Sequence, residues 1–303
     1  MSNVLAVFGA TGQQGGSLIN YVLNDPELSK KYQLRAITRD VSSEKAKLLK
    51  EKVEVVKGDV ADRASLETAL TGVHTVFAIT TPDFGPDGFE IEYNSGKTIA
   101  DVTVERGIEY IIFSTLPSIS DISGGKYTKS IHFDAKAKVE QYIRSLSIKS
   151  AFYAPDFPPM NPQRASDSTW VLSRPTSPKT RAPFVDAIED TGKFIGAILA
   201  EPDTYEGKTF CACTTLYSWE EIAAILSKAT GKTVVNKEIS PKEFAESLPF
   251  GGDIFVETFS YFAEFGGYYG PGSEEMVAWA IKNARGKLTT MEEYLERHPV
   301  ELI

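Results

Sequence analysis

The chain has 303 residues, 42% of them hydrophobic and 24% charged, with a formal net charge of -9. That length holds one large domain or two coupled ones, with enough apolar residues for a sizeable core. The acidic balance, without any dense Lys/Arg tract, argues against direct DNA or RNA binding, which calls for a basic footprint.

Two cysteines, Cys211 and Cys213, stand as C-x-C. On one strand both would point to the same face, where neighbours seldom form a disulfide. There is no C-x-x-C pair or metal-ligand cluster, and there are three histidines. No metal site is therefore expected, and a reducing compartment, cytoplasm or nucleus, is. The N-terminus lacks the basic region of a signal peptide, and no apolar stretch is long enough to cross a bilayer.

In chain order the first half alternates strand and helix patterns. "VLAVFGA" predicts a buried strand, and "GGSLINYVLND" a helix with Leu18, Ile19, Val22 and Leu23 on its apolar face. "YQLRAITRD" is a second strand. "SSEKAKLLK" is a short helix with Ser42 or Ser43 as N-cap. "VEVVKGDV" is a third strand, followed by a helix from Asp62 to Gly72. "HTVFAITTP" is a fourth strand, "NSGKTIADVTVERG" a helix stopped by Gly107, and "EYIIFSTLPS" a fifth strand. "FDAKAKVEQYIRSLS" is a helix and "IKSAFYAP" a sixth strand. Near-continuous apolar strands alternating with helices predict a doubly wound parallel sheet of Rossmann type.

From about Pro155 the chain turns rich in proline and serine. Phe157, Met160, Trp170, Val171 and Leu172 supply anchors for an ordered excursion rather than a free linker. Regular structure resumes with "APFVDAIEDTGKFIGAILAEP" and the strand "KTFCACTT". "SWEEIAAILSKATG" is a helix with a Ser218/Glu221 capping box. "TVVNKEIS" is a strand and "PKEFAESL" a helix with Pro241 at its first position. The aromatic run from Asp253 to Gly266 and the segments "SEEMVAWAIKNARG" and "TTMEEYLERH" are predicted helical. The rings at Phe255, Phe259, Tyr261, Phe262, Phe265, Tyr268 and Tyr269 form the core of a small domain or line an apolar pocket; helical aromatics favour the core.

The first strand runs into "GATGQQGG", with glycines at 9, 12 and 15. One glycine permits a tight turn, one a close approach to a pyrophosphate, and one close packing of helix on strand. The helix N-terminus then aims its N–H groups at phosphate. Gly9, Thr11, Gly12, Gln13, Gln14 and Gly15 are the expected cradle. At the end of the second strand a carboxylate would favour NAD and an arginine the 2′-phosphate of NADP. Arg39 stands there, with Asp40 next to it, which predicts NADP(H). Asp59 and Val60, at the end of the third strand, are expected near the adenine. Thr80 and Thr81 are expected along the nicotinamide ribose, and Tyr153, Pro155 and Phe157, at the end of the sixth strand, on the same cofactor.

"VFGATGQQGGS", "AITRD", "VVKGDVAD", "FSTLP" and "HFDAKAKVEQYIR" together resemble the NmrA-like proteins, atypical members of the short-chain dehydrogenase/reductase superfamily. "APDFPPMN", "GKTFCACTTLYSWEEIAAIL" and "TTMEEYLERH" carry the likeness over nearly the whole chain, which is most similar to the redox-sensor branch. The resemblance implies a Rossmann domain over 1–155, with 183–216 returning to it. It implies a smaller, mostly helical domain from 156–182 plus 217–303, and NADP(H) in the cleft between them. It also implies one of two activities, in a monomer or a homodimer. The first is a redox-responsive regulator that engages a partner protein according to the NADPH/NADP balance. The second is a reductase of a small carbonyl, enone or imine compound.

Catalysis in the wider superfamily rests on a Tyr-x-x-x-Lys pair plus a serine. Lys136 matches the lysine and is expected to hold the ribose. Ser114 stands where the serine is expected. The tyrosine position holds His132, and four residues after Tyr127 comes Ile131. The missing tyrosine favours the regulator. A reductase would need His132, Tyr127 or water as its proton donor.

Overall fold

The computed structural model describes residues 2–156, 162–165 and 169–302. The elements of the first half are β1 (Asn3–Val7), α1 (Gln13–Asn24), α2 (Leu28–Lys31), β2 (Tyr32–Thr38), α3 (Glu44–Lys50), β3 (Glu54–Lys57), α4 (Arg63–Ala69), β4 (Thr75–Ala78), α5 (Gly88–Glu105), β5 (Tyr110–Ser114), α6 (Ile119–Ile122), α7 (Ile131–Ser145) and β6 (Lys149–Pro155). The second half adds β7 (Gln163–Arg164), β8 (Trp170–Arg174), β9 (Arg181–Phe184), α8 (Thr191–Ala200), β10 (Thr209–Ala212), β11 (Thr215–Ser218), α9 (Trp219–Thr230), β12 (Val234–Glu238), α10 (Pro241–Ser247), α11 (Gly252–Glu264), α12 (Ser273–Asn283) and α13 (Met291–Arg297).

Among the described residues, seven strands form one sheet in the order β10-β6-β5-β4-β1-β2-β3. Every neighbouring pair is parallel. The order reverses between β1 and β4, the switch point where doubly wound sheets open a crevice at their carboxyl edge. Side-chain alternation splits each strand between two layers. Leu5 and Val7 join Leu18 and Val22 of α1 and Phe194 and Ile198 of α8 in one core. Ala6 and Phe8 join Leu66 of α4, Ile99 of α5 and Val139 of α7 in the other. This is the α/β class the alternating pattern predicts.

The helices start where local chemistry supplies a cap. The Ser43 hydroxyl accepts from the Ala46 amide, and the Asp62 carboxylate from the Ser65 amide. Ser218 with Glu221, and Thr290 with Glu293, form capping boxes.

A separate cluster gathers Trp170 and Leu172 of β8, Phe184 of β9, Trp219 and Leu226 of α9, Phe244 of α10, and Phe259 and Phe262 of α11. The aromatic run of α11 is thus core. This half carries more strand than expected: β12-β8-β7 form one small sheet and β9 pairs with β11 in another. Among the described residues β9 pairs only with β11, and Phe184 lies in this second core. "TFCACTT" is not one strand. β10 ends at Ala212, and the Cys213 amide turns back to the Cys211 carbonyl at 3.1 Å. Both thiols are free and buried. Trp170 and Leu172 do anchor the proline-rich excursion; Phe157 and Met160 lie outside the described residues.

The end of the chain is tied back to its beginning. Tyr21 Oη donates to the Arg285 carbonyl at 3.0 Å, and the Arg285 guanidinium binds Asp25 at 3.0 Å and Glu27 at 3.1 Å. The buried Asp190 carboxylate accepts from the Thr289 amide at 2.9 Å.

Candidate dinucleotide and substrate site

The glycine loop leaves β1 through Gly9, whose φ of +63° is left-handed. A Cβ there would stand 2.7 Å from Ile79 Cγ2, and one on Gly15 would stand 2.4 Å from the Gly9 carbonyl oxygen. Only glycine fits either place. The Gly12 amide closes the turn on the Gly9 carbonyl at 2.9 Å. Gly12 is the N-cap of α1; no side chain caps this end, and no acid occupies its first turn. Gly12 and Gln13 are exposed and Thr11 and Gln14 half-buried. The positive end of α1 thus faces an open loop, the arrangement that holds a pyrophosphate.

Arg39 follows β2 at the same edge and is exposed, without a hydrogen bond or ion pair among the described residues. Asp40 is occupied locally. Its carboxylate accepts from the Ser42 hydroxyl at 2.5 Å and the Ser42 amide at 2.8 Å, and these bonds hold its pKa below the usual value. No carboxylate is poised there for a ribose 2′-hydroxyl, and a guanidinium is available for a phosphate. Asp59 accepts from the Ala61 amide at 3.0 Å within a turn, and Val60 is half-buried beside it. Ser114, at the end of β5, donates to Gln14 Oε1 at 2.8 Å, which joins the glycine loop to the fifth strand.

Lys136 is almost fully buried on α7. Its ammonium donates to the Thr80 carbonyl at 2.9 Å and the Thr80 hydroxyl at 2.8 Å, and pairs with Glu92 Oε1 at 2.7 Å. The Thr80 hydroxyl donates to the same Glu92 oxygen at 2.7 Å. Burial pushes the Lys136 pKa down, and Glu92 opposes that. This corrects the expectation for Lys136 and Thr80: the three donors of the ammonium are used inside the protein, and Thr80 faces inward. Thr81 is exposed at the rim.

Helix packing sets this contact. Glu92 and Gly96 lie one turn apart on α5, and a Cβ on Gly96 would stand 2.5 Å from Val139 Cγ2 of α7. The two helices can press together there, which brings Glu92 to Lys136 one turn from Val139. The helical pattern "NSGKTIADVTVERG" begins after Glu92, whereas α5 begins at Gly88 and includes it. A glycine four residues beyond an acid was the available signal.

His132 stands at the acid position, one turn before Lys136. Its Nδ1 is buried without a hydrogen bond. Burial first, and then the Lys136 charge, push its pKa down to about 4. The ring is therefore neutral near pH 7 and carries no imidazolium proton to give. It lies edge-on to Phe133, with centroids 4.8 Å apart, and to Phe84, with centroids 5.3 Å apart. Tyr127, the other candidate acid, donates to Glu264 Oε2 at 2.8 Å, and burial raises its pKa.

Tyr153 must be corrected as a cofactor residue. Its side chain is wholly buried in the core under α8, and its hydroxyl shares a 2.9 Å hydrogen bond with Thr191. Strand alternation turns it into the core shared by α1 and α8. Pro155 is buried at the strand end, where its carbonyl accepts from Tyr268. Phe157 lies outside the described residues. Two cavities of about 240 and 270 Å³ lie away from Lys136: one at the opposite, N-terminal edge of the sheet, the other between α7, β10 and α12. Among the described residues no acidic, histidine or cysteine group could hold a metal ion, and no helix is long and apolar enough to cross a membrane.

The NmrA-like family pattern matches residues 1–295. The chain belongs to the NmrA-like family. An NmrA-like family domain-containing protein of Dictyostelium discoideum is 31% identical over 98% of both chains. The NmrA-like oxidoreductase FrzB of a Cladobotryum species is 29% identical over 80% of this chain and 77% of its own length. The solved structure of NmrA, a negative transcriptional regulator, in complex with NADP superposes with a TM-score of 0.77 at 22% identity, covering 99% of this chain and 98% of that one. At that identity the NmrA structure speaks for the fold.

Proposed function

We propose that this NmrA-like chain binds NADP(H) at the glycine loop and Arg39 and reduces a small organic acceptor held at the carboxyl edge of the sheet. The dihydronicotinamide, when bound, supplies a hydride. Gly9, Gly12 and Gly15 and the uncapped start of α1 hold the pyrophosphate, and Arg39 holds the 2′-phosphate. The observation that carries the reading is this open glycine cradle with an unpaired arginine at the end of β2. The oxidoreductase naming of several relatives supports the chemistry.

A second reading is a redox-responsive regulator that offers a partner protein different surfaces with NADPH and NADP bound. The commitment of Lys136 to Glu92 and Thr80 favours it, because this lysine does not stand ready as a proton donor.

One experiment separates them. NADPH absorbance is followed with carbonyl, enone and imine compounds, and NADPH binding is measured by calorimetry. Turnover above background supports the reductase. Tight binding without turnover, with a protease-digestion pattern that depends on the cofactor form, supports the regulator. No binding of NADPH defeats both.

A further inference from the structure

The cavity of about 240 Å³ at the amino edge of the sheet has a definite cause in the sequence. Four adjacent strands, β5, β4, β1 and β2, begin there. The outer two begin with Tyr110 and Tyr32, and the inner two with Thr75 and Asn3. Tyr110 and Tyr32 face the core under α8, and all four residues line the cavity. Two large rings therefore flank two short side chains. Ile198, Leu199 and Pro202, at the end of α8 and just after it, form the opposite wall, and Ile112 closes the space towards the core. Close-packed interiors rarely leave a void much larger than a water molecule.

The polar atoms around the cavity are committed in one direction. Tyr32 Oη donates to the Leu199 carbonyl at 3.0 Å and Tyr110 Oη to the Pro202 carbonyl at 2.9 Å. Burial raises the pKa of both phenols, so both keep the protons they donate. The Thr75 hydroxyl hydrogen-bonds to Tyr32. The Tyr110 oxygen accepts no hydrogen bond among the described residues and has lone pairs to offer. Lys31 is spent on the Leu199 and Ala200 carbonyls at 2.8 and 3.1 Å, and Lys149 on Asp203 at 2.6 Å. His74 sits between the Thr75 hydroxyl, 2.8 Å from Nδ1, and Glu109, 3.3 Å from Nε2.

An anion finds these donors taken. A cation meets Lys31, which already lies on the carbonyls at the end of α8, the place where a positive charge is best held. Apolar walls, two aromatic side chains and an oxygen that only accepts suit a neutral ring that carries a donor.

We infer that this cavity is a second ligand site, for a neutral single-ring compound of the phenol class whose hydroxyl donates to Tyr110 Oη. It lies at the edge of the sheet opposite the glycine loop and depends on neither reading of the crevice.

The test follows the methyl resonances of Ile112 and Ile198 in carbon-13 spectra of the full chain. Phenol is titrated against anisole, which keeps the ring without the donor, and against benzoate and benzylamine, its charged analogues. Saturable shifts of both methyls are expected, with phenol at least roughly tenfold tighter than the other three. Tyr110→Phe should bring phenol to the level of anisole. Asn3→Phe, which sets a ring into the cavity from the start of β1, should abolish binding. Anisole as tight as phenol overturns the hydrogen bond to Tyr110, and a charged analogue as tight overturns the neutral class. No saturable shift, or phenol binding that survives Asn3→Phe, overturns the site. Should a variant fail to fold, the wild-type titrations still decide.

Discussion

Lys136 and Glu92, on α7 and α5, form a 2.7 Å ion pair with both side chains out of water. Each is the other's only ionic partner among the described residues. Removing one partner strands a buried charge, which costs about 3–5 kcal/mol. We expect Glu92→Ala to lower the urea midpoint accordingly, and the double variant with Lys136→Met to recover most of the loss. A loss below about 1 kcal/mol would mean that the pair is not buried.

The same pair has a pH signature. The folded pKa of Lys136 is lowered, so between that value and 10.5 the unfolded chain holds more protons than the folded one. Stability from this group therefore rises with pH across that window. In Glu92→Gln the pull that keeps Lys136 protonated is gone, so the window extends to lower pH. Urea midpoints from pH 7 to 9 should climb more steeply in Glu92→Gln than in the wild type. Parallel slopes would contradict this.

His132 supplies a second titration, with a folded pKa of about 4 against 6.5 for the free side chain. The unfolded chain takes up its proton first, so stability from this group is full above about pH 6.5 and falls as the pH drops towards 4. The loss amounts to about 3 kcal/mol. His132→Asn should flatten it. Resonances of the His132 ring in a two-dimensional NMR titration should show a neutral imidazole throughout pH 6–8; a midpoint near 6.5 would restore it as a candidate acid.

Arg39 tests the cofactor. Removing a guanidinium that clamps a phosphate costs about 1.5–3 kcal/mol, roughly ten- to a hundredfold in affinity. Arg39→Ala should lose that much for NADP and almost nothing for NAD in calorimetry. Equal losses for the two would assign Arg39 to the pyrophosphate or to no contact at all.

Gly15 tests the cradle, because its Cβ would stand 2.4 Å from the Gly9 carbonyl. Gly15→Ala should abolish the enhancement of NADPH fluorescence while lowering the melting temperature. Gly72→Ala is the control: its φ is +71° but open space surrounds it. That variant should cost about 1 kcal/mol and leave binding intact.

The sheet was legible because its strands are buried on both faces and read as apolar runs. The glycine loop was legible because the steric demands at Gly9 and Gly15 leave no other residue possible. The capping box at Ser218 and Glu221 was legible for a similar reason, since it is local chemistry. The small sheet of β8 and β12 was not. Its pairing joins Trp170 to Val234 across a stretch whose proline and serine content masks any period. Glu92 was hidden too, because its role depends on how two helices pack rather than on its neighbours in sequence. Tyr153 misled for a simpler reason: a strand-end tyrosine has two faces to choose from, and the core won.

The tie between Tyr21 and Arg285 spans 264 residues. In a chain made from its N-terminus, α1 keeps its apolar face open until α8 (Thr191–Ala200) has been made, and its tie to Arg285 forms later still. β10, which completes the sheet beside β6, also arrives late. Contacts of such long range are slow to form and leave apolar surface open in the meantime. Loss of α12 and α13 should therefore weaken folding of the parallel sheet, since Trp279 and Ala280 of α12 pack into the core that holds Leu5, Val7 and Phe194.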